Sequence, residues 1–150
     1  MISFFLHIPQ ADFHVIQWGK GPKLLVCFHG FGESAAEFSC LEPSLGDIYT
    51  LVAIDLPFHG STRWNGEVFD QEIVRHLAEK ILEHYQLSIF SVLGYSLGGR
   101  VALSLVEALP QQVQQLILVA PDGVRDTFWV YPCDQDHFSC SLFVHSFLPI

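Results

Sequence analysis

Ser96 has a glycine two residues away on either side, in Gly94-Tyr95-Ser96-Leu97-Gly98-Gly99. A serine hydroxyl is a weak nucleophile until a turn lifts it clear of its surroundings and a base takes its proton. Where a strand runs into such a turn and a helix leaves it, a Cβ at position 94 or 98 would collide with the opposite limb, so glycine is required there. The turn holds the serine in a strained conformation that costs about 1–3 kcal/mol. A helix starting at this point aims free backbone N–H groups at any developing oxyanion, the Leu97 N–H first.

Two further loops carry residues of chemical interest. His29-Gly30-Phe31-Gly32-Glu33-Ser34 follows one apolar run, and Asp55-Leu56-Pro57-Phe58-His59-Gly60-Ser61 follows another. Gly30 and Gly32 allow a turn tight enough to direct the Phe31 N–H inward as a second oxyanion donor. Losing one such donor typically costs about 2.7–4 kcal/mol of barrier lowering. The side chains of Phe31, Phe58 and Tyr95 would give the site an apolar mouth, suited to a modest hydrophobic acyl group.

The elements that must position these residues are legible from periodicity. Met1–Ile8 reads as a first strand and Phe13–Trp18 as a second. Gly19-Lys20-Gly21-Pro22 reads as a hairpin connection into a buried strand, Leu24–Phe28. Ser34 is placed to cap a helix running to about Leu45, and Thr50–Ile54 forms another buried strand before a loop through Gly66. From Asp70, Ile73, Leu77, Ile81 and Tyr85 recur every four positions with charged residues between them, the pattern of an amphipathic helix. Ile89–Leu93 is a buried strand leading into the turn at Ser96, Arg100–Leu109 is helical, and Val113–Val119 is a sixth strand. Strands alternating with helices give a mostly parallel sheet covered on both faces. Both loops and the serine turn then fall at strand ends, where open sheets of this kind place their ligands.

Composition narrows the partners. Half of the 150 residues are hydrophobic and 15% are charged, which describes one folded domain. The net charge of −9, with seven Lys and Arg in all, argues against nucleic acid or an anionic membrane surface. No run approaches the roughly 18 apolar residues of a membrane span, and the N-terminus lacks the basic start of a signal peptide. The four cysteines, Cys27, Cys40, Cys133 and Cys140, have no metal-binding spacing; Cys27 reads as a small core residue, and a Cys133–Cys140 disulfide stays open. A cytoplasmic location is the default expectation.

HGFGES, DLPFHGST and GYSLGGR, in this order and at these separations, resemble the α/β-hydrolase superfamily, and Ala120-Pro121-Asp122-Gly123 is similar to the strand end that follows in its esterase and lipase-like members. The resemblance covers roughly residues 10–125. It implies Ser96 as catalytic nucleophile, Phe31 and Leu97 as the oxyanion hole, a small-molecule acyl substrate, and neither cofactor nor metal. Members with an aspartate nucleophile are disfavoured by the serine at position 96. Esters and related acyl compounds are the expected substrates; the alternative is a non-catalytic remnant or association module that keeps the architecture without a working triad.

The family order is serine, acid, histidine. Of the eight histidines, His29 and His59 match structural positions of the motifs, and His7, His14, His76 and His84 read as core-edge or solvated residues. An Asp55–His59 metal pair has no third ligand at suitable spacing. The acid stays open among Asp122, Asp126, Asp134 and Asp136, and the base between His137 and His145, with Asp122 slightly ahead as acid but better suited to a turn or the substrate mouth. Parallel crossovers take a dozen residues or more, so the roughly thirty residues after Ala120 are too few for two further strand units. Residues 1–122 are therefore expected to be the N-terminal part of a hydrolase core, truncated after about strand six, with 123–150 an atypical tail or the start of a cap. An exposed Leu116–Val119 edge without charge to protect it would favour self-pairing. The 150-residue chain expressed alone should run as an oligomer or be poorly soluble, and a well-behaved monomer on size exclusion would contradict this.

Overall fold

The computed structural model describes residues 1–122. Seven strands form one sheet, in the order β1-β2-β4-β3-β6-β7 with the short β5 paired to β2. Strand β1 (Ile2–Ile8) and β2 (Ala11–Trp18) are an antiparallel hairpin turned at Pro9-Gln10, with Phe5 opposite His14. Strands β3 (Lys23–Phe28), β4 (Tyr49–Ile54), β6 (Phe90–Tyr95) and β7 (Val113–Val119) run parallel. Strand β5 (Arg63–Trp64) interrupts what the sequence reads as loop.

The Gly19–Pro22 connection is not a hairpin. Strand β4 lies between β2 and β3, antiparallel to the first and parallel to the second. The reason is burial: Leu24–Phe28 is apolar on both faces, and only a central strand covers both. The connection is tied instead to the approach to β4, with the N–H groups of Lys20 and Gly21 donating to the Gly46 carbonyl at 2.9 and 3.0 Å and the Thr50 hydroxyl donating to the Gly21 carbonyl.

Alternation along the central strands sorts side chains into two layers. Leu24, Val26, Phe28, Val52, Ile54, Phe90 and Val92 face one layer, which is closed by α2 (Gln71–Tyr85) and α3 (Leu97–Ala108). Leu25, Cys27, Leu51, Ala53 and Leu93 face the other, against the segment 35–45. Burial pushes the Cys27 thiol well above its ordinary range, as befits a small core residue. In α2 the buried residues Ile73, Val74, Leu77, Ala78, Ile81 and Leu82 make the stripe that periodicity predicts. Burying each of the larger ones is worth about 1.5–3 kcal/mol. Asp70 caps this helix, its carboxylate accepting from the Ile73 N–H at 3.1 Å.

The segment after Ser34 differs from the single helix expected. It is a 3₁₀ helix, Ala35–Leu41, followed by the one-turn α1 (Glu42–Leu45), with proline in the first turn of the latter. Ser34 occupies the cap position, but its side chain makes no capping bond. The Ala35 N–H donates to Asp55 Oδ1 at 2.7 Å instead. A carboxylate from the end of β4 thus does the work expected of the local serine.

Helix α3 reaches the sheet at a backbone contact. A Cβ built on Gly98 would lie 2.0 Å from the Phe28 carbonyl oxygen and 2.7 Å from that of His29. Gly98→Ala should therefore push α3 off the end of β3 and destabilise the fold by about 1–3 kcal/mol, measurable by urea unfolding; unchanged stability would mean that the contact is not tight.

Candidate active site at the end of strand β6

Strand β6 ends at Tyr95 and α3 begins at Leu97, so Ser96 alone makes the turn. Its backbone lies at φ 48°, ψ −115°, a region L-residues avoid. Three backbone hydrogen bonds hold it there. The Ser96 N–H donates to the Val119 carbonyl at 3.0 Å, and the Ser96 carbonyl accepts from Gly99 at 2.9 Å and from Asp122 at 3.1 Å. The residue is thereby fastened to the end of β7 as well as to its own helix. Leu97 is the first residue of α3, where an N–H has no acceptor within the helix.

The loop after β3 lies beside this turn. A Cβ on Gly30 would approach the Tyr95 ring to 3.1 Å. Gly30 N–H donates to Glu33 Oε2 at 3.1 Å and Glu33 N–H to the Gly30 carbonyl at 3.3 Å within the loop, and Gly32 N–H donates to His59 Nε2 of the loop after β4 at 3.0 Å. The Phe31 N–H has no such acceptor among the described residues. Phe31 and Phe58 are 80% and 84% exposed, and Tyr95 is 37% exposed. An apolar groove of about 220 Å³ runs past Tyr95 between Phe38, Leu41, Leu93 and Val119, without including Ser96.

The two motif histidines are committed to the backbone. His29 Nδ1 donates to the Gly30 carbonyl at 2.7 Å, while Nε2 accepts from the Leu56 N–H at 3.0 Å. His59 Nδ1 donates to the Pro57 carbonyl at 2.9 Å, while Nε2 accepts from Gly32. The rings meet edge to face with centroids 5.1 Å apart. With one nitrogen donating and the other accepting, each ring is a neutral strut between loops. Burial, foremost, lowers the affinity of His29 for a proton.

Asp55 is the organising residue that sequence reasoning quoted but gave no role beyond a discounted metal pair. Its Oδ1 accepts from Ala35, its Oδ2 accepts from the Ser61 N–H at 2.8 Å and from His14 Nδ1 at 2.7 Å, and its carbonyl accepts from the Thr62 hydroxyl at 2.6 Å. Burial by itself would raise its pKa, but the Ala35 and Ser61 N–H groups and the His14 ring outweigh burial and hold the carboxyl below its ordinary value. Gly60, at φ +53°, folds over the carboxylate so closely that a Cβ would lie 1.9 Å from Oδ2. The only sequence signal for this was the Asp and Gly of the motif itself.

Of the candidate acids, Asp122 is brought to the serine: Ser96 Oγ donates to Asp122 Oδ1 at 3.4 Å. Asp126, Asp134, Asp136, His137, His145, Cys133 and Cys140, together with the proposed tail or cap at 123–150, lie outside the described residues. Among the described residues no helix is long and apolar enough to cross a membrane.

A strained serine between a parallel strand and a helix, flanked by two glycine loops at neighbouring strand ends, defines the α/β-hydrolase fold. The chain belongs to this family: the model described as "alpha/beta hydrolase fold" matches residues 23–138. The pimeloyl-acyl-carrier-protein methyl ester esterase of Nitrosomonas europaea is 33% identical over 139 residues, 91% of this chain and 52% of that protein. The hydrolase YugF of Bacillus subtilis is 34% identical over 104 residues, 69% of this chain and 38% of that protein. The chain thus spans about half, or less, of the length of these curated relatives. A putative lipase from Acinetobacter baumannii has the same fold, with a TM-score of 0.72 at 22% identity over 84% of this chain and 43% of its own.

The neutral His29 strut has a consequence in acid. A histidine that resists protonation in the folded state contributes stability that is full above its unfolded pKa of about 6.5 and is lost as pH falls below it. Unfolding free energy should therefore decline on acidification below about pH 6.5, and His29→Gln should flatten that decline. An equally steep decline in the variant would assign the effect elsewhere.

Proposed function

We propose that the chain carries the nucleophile and oxyanion-binding machinery of a serine hydrolase acting on carboxylic esters or related acyl compounds. The observation that carries this reading is the conformation of Ser96, since strain at a non-glycine residue persists only where the surrounding structure enforces it. Ser96 Oγ attacks the acyl carbon, and the oxygen of the tetrahedral intermediate takes hydrogen bonds from the N–H groups of Leu97 and Phe31. The first is left free by its place at the start of α3. The second has no acceptor among the described residues, whereas the Gly30, Gly32 and Glu33 N–H groups each have one.

The proton of Ser96 goes to a histidine paired with an acid, by the logic of the serine triad. His29 and His59 do not serve, because both ring nitrogens of each are engaged with backbone. The base is a histidine outside residues 1–122; in this chain those are His137 and His145. Asp122 lies at the mouth of the site, where its bond to Ser96 holds the hydroxyl until substrate displaces it. The exposed Phe31, Phe58 and Tyr95 favour a hydrophobic acyl group, and the esterase among the relatives supports the ester class.

Two measurements test the reading. A fluorophosphonate probe should form an adduct that maps to Ser96 and is lost in Ser96→Ala, and nitrophenyl ester hydrolysis should fall by about 10³-fold or more in that variant. Phe31→Pro, which deletes the donor N–H, should lower kcat about 10²- to 10³-fold, whereas Phe31→Ala, which keeps it, should not. Folded protein that leaves Ser96 unlabelled would instead favour a non-catalytic association module on the same architecture.

A further inference from the structure

A second hydroxyl, imidazole and carboxylate are joined in sequence by hydrogen bonds toward the sheet edge opposite Ser96. Ser3 Oγ is 2.7 Å from His14 Nε2, and His14 Nδ1 is 2.7 Å from Asp55 Oδ2. An ionised carboxylate can only accept, so Nδ1 carries the ring proton and donates it. In the neutral ring Nε2 presents its lone pair, and the Ser3 hydroxyl donates to it. This is the protonation state that a serine nucleophile requires before attack.

Tertiary structure fixes each member. Ser3 and His14 stand on the paired strands β1 and β2, where Ser3 lies opposite Ile16 and Phe5 opposite His14. Asp55 follows β4 and is joined to β2 by its own N–H, which donates to the His14 carbonyl at 3.0 Å. The Ala35 and Ser61 N–H groups hold the carboxylate from other sides. Exposure is graded along the relay. The Asp55 side chain is 3% exposed, that of His14 is 13% exposed, and Ser3 is open to solvent.

The same face of β1 also carries an aromatic side chain and, over it, a cation. Phe5, two residues on and on the same face of β1, is 47% exposed. The Arg63 guanidinium sits 5.3 Å from the centre of its ring, so a cation lies over the aromatic side chain two residues along the strand from Ser3. Strands β2, β4 and β3 separate β1 from β6, a lateral distance of about 19 Å at the usual strand spacing. Ser3 therefore cannot share substrate with Ser96.

We propose that Ser3, His14 and Asp55 form a second nucleophilic centre, which reacts with small activated acyl and phosphonyl esters. Ser3 Oγ forms a bond to the carbonyl carbon or phosphorus, and its proton passes to His14 Nε2. The leaving group departs with its bonding electron pair, as nitrophenolate or fluoride. The His14 imidazolium, facing the Asp55 carboxylate, then releases the proton to water and leaves an acyl- or phosphonyl-Ser3 adduct. Because β1 is an edge strand among the described residues, the reagent must bring its own activated leaving group.

The test uses the full chain carrying Ser96→Ala, treated with a fluorophosphonate probe and mapped by peptide mass spectrometry. An adduct is expected on the peptide that contains Ser3, absent when Ser3→Ala is added. It should form about 10²-fold more slowly when His14→Gln is added and in the urea-unfolded chain with His14 intact. The unfolded comparison keeps the test valid if His14→Gln weakens the fold, which circular dichroism reports. No adduct at Ser3, or one that forms as fast in the unfolded chain, overturns the proposal. Ser96 and Ser3 lie on different peptides, so either centre can fail without the other.

Discussion

The carbonyl oxygen of Phe28 leaves no space for a side-chain carbon at position 98, and the arrangement around Ser96 follows from that contact. Helix α3 can start where it does only by laying bare backbone against the end of β3. The chain must then reverse from β6 into the helix through one residue, which is why Ser96 takes a conformation that L-residues avoid. The same approach sets the end of α3, with its free N–H groups, beside the loop that holds Phe31. One close packing distance between a helix and a central strand thus sets Ser96 and the candidate N–H donors of Leu97 and Phe31 together.

That arrangement would be loose without the polar scaffold behind it. Asp55 draws the start of the 3₁₀ helix, the Gly60–Thr62 loop and strand β2 onto the end of β4. His29 spans from the Gly30 carbonyl to the Leu56 N–H, and His59 spans from Pro57 to Gly32. Buried polar groups are costly unless satisfied, and these are satisfied by loop backbone that would otherwise lack partners itself. The two loops are consequently rigid with respect to each other, and preorganised donors are what oxyanion stabilisation needs.

The central strands, α2 and the serine turn were legible because local spacing reports them. Alternation or continuous apolarity marks a strand, a four-residue recurrence marks α2, and two glycines about a serine mark a reversal. Strand β5 has two residues and no period to read. The hairpin expected at positions 19–22 does not form, because glycine and proline signal a turn without saying which strand will pair beside the one it leaves. The cap of the 3₁₀ helix was assigned to Ser34, the nearest serine, whereas the acceptor came from Asp55, twenty residues along.

By itself the sequence determined the family, the strand–turn–helix at Ser96 and the loops that flank it, since these depend on residue types within a few positions of each other. Only the tertiary structure decided which side chains serve as struts, which carboxylate meets Ser96, and that Ser3, His14 and Asp55 fall into line. Hydrogen bonds join atoms brought together by strand pairing and helix packing, and His14 and Asp55 are 41 residues apart in the chain. No local pattern records such a separation; it exists only once the hydrophobic layers have set the strands side by side.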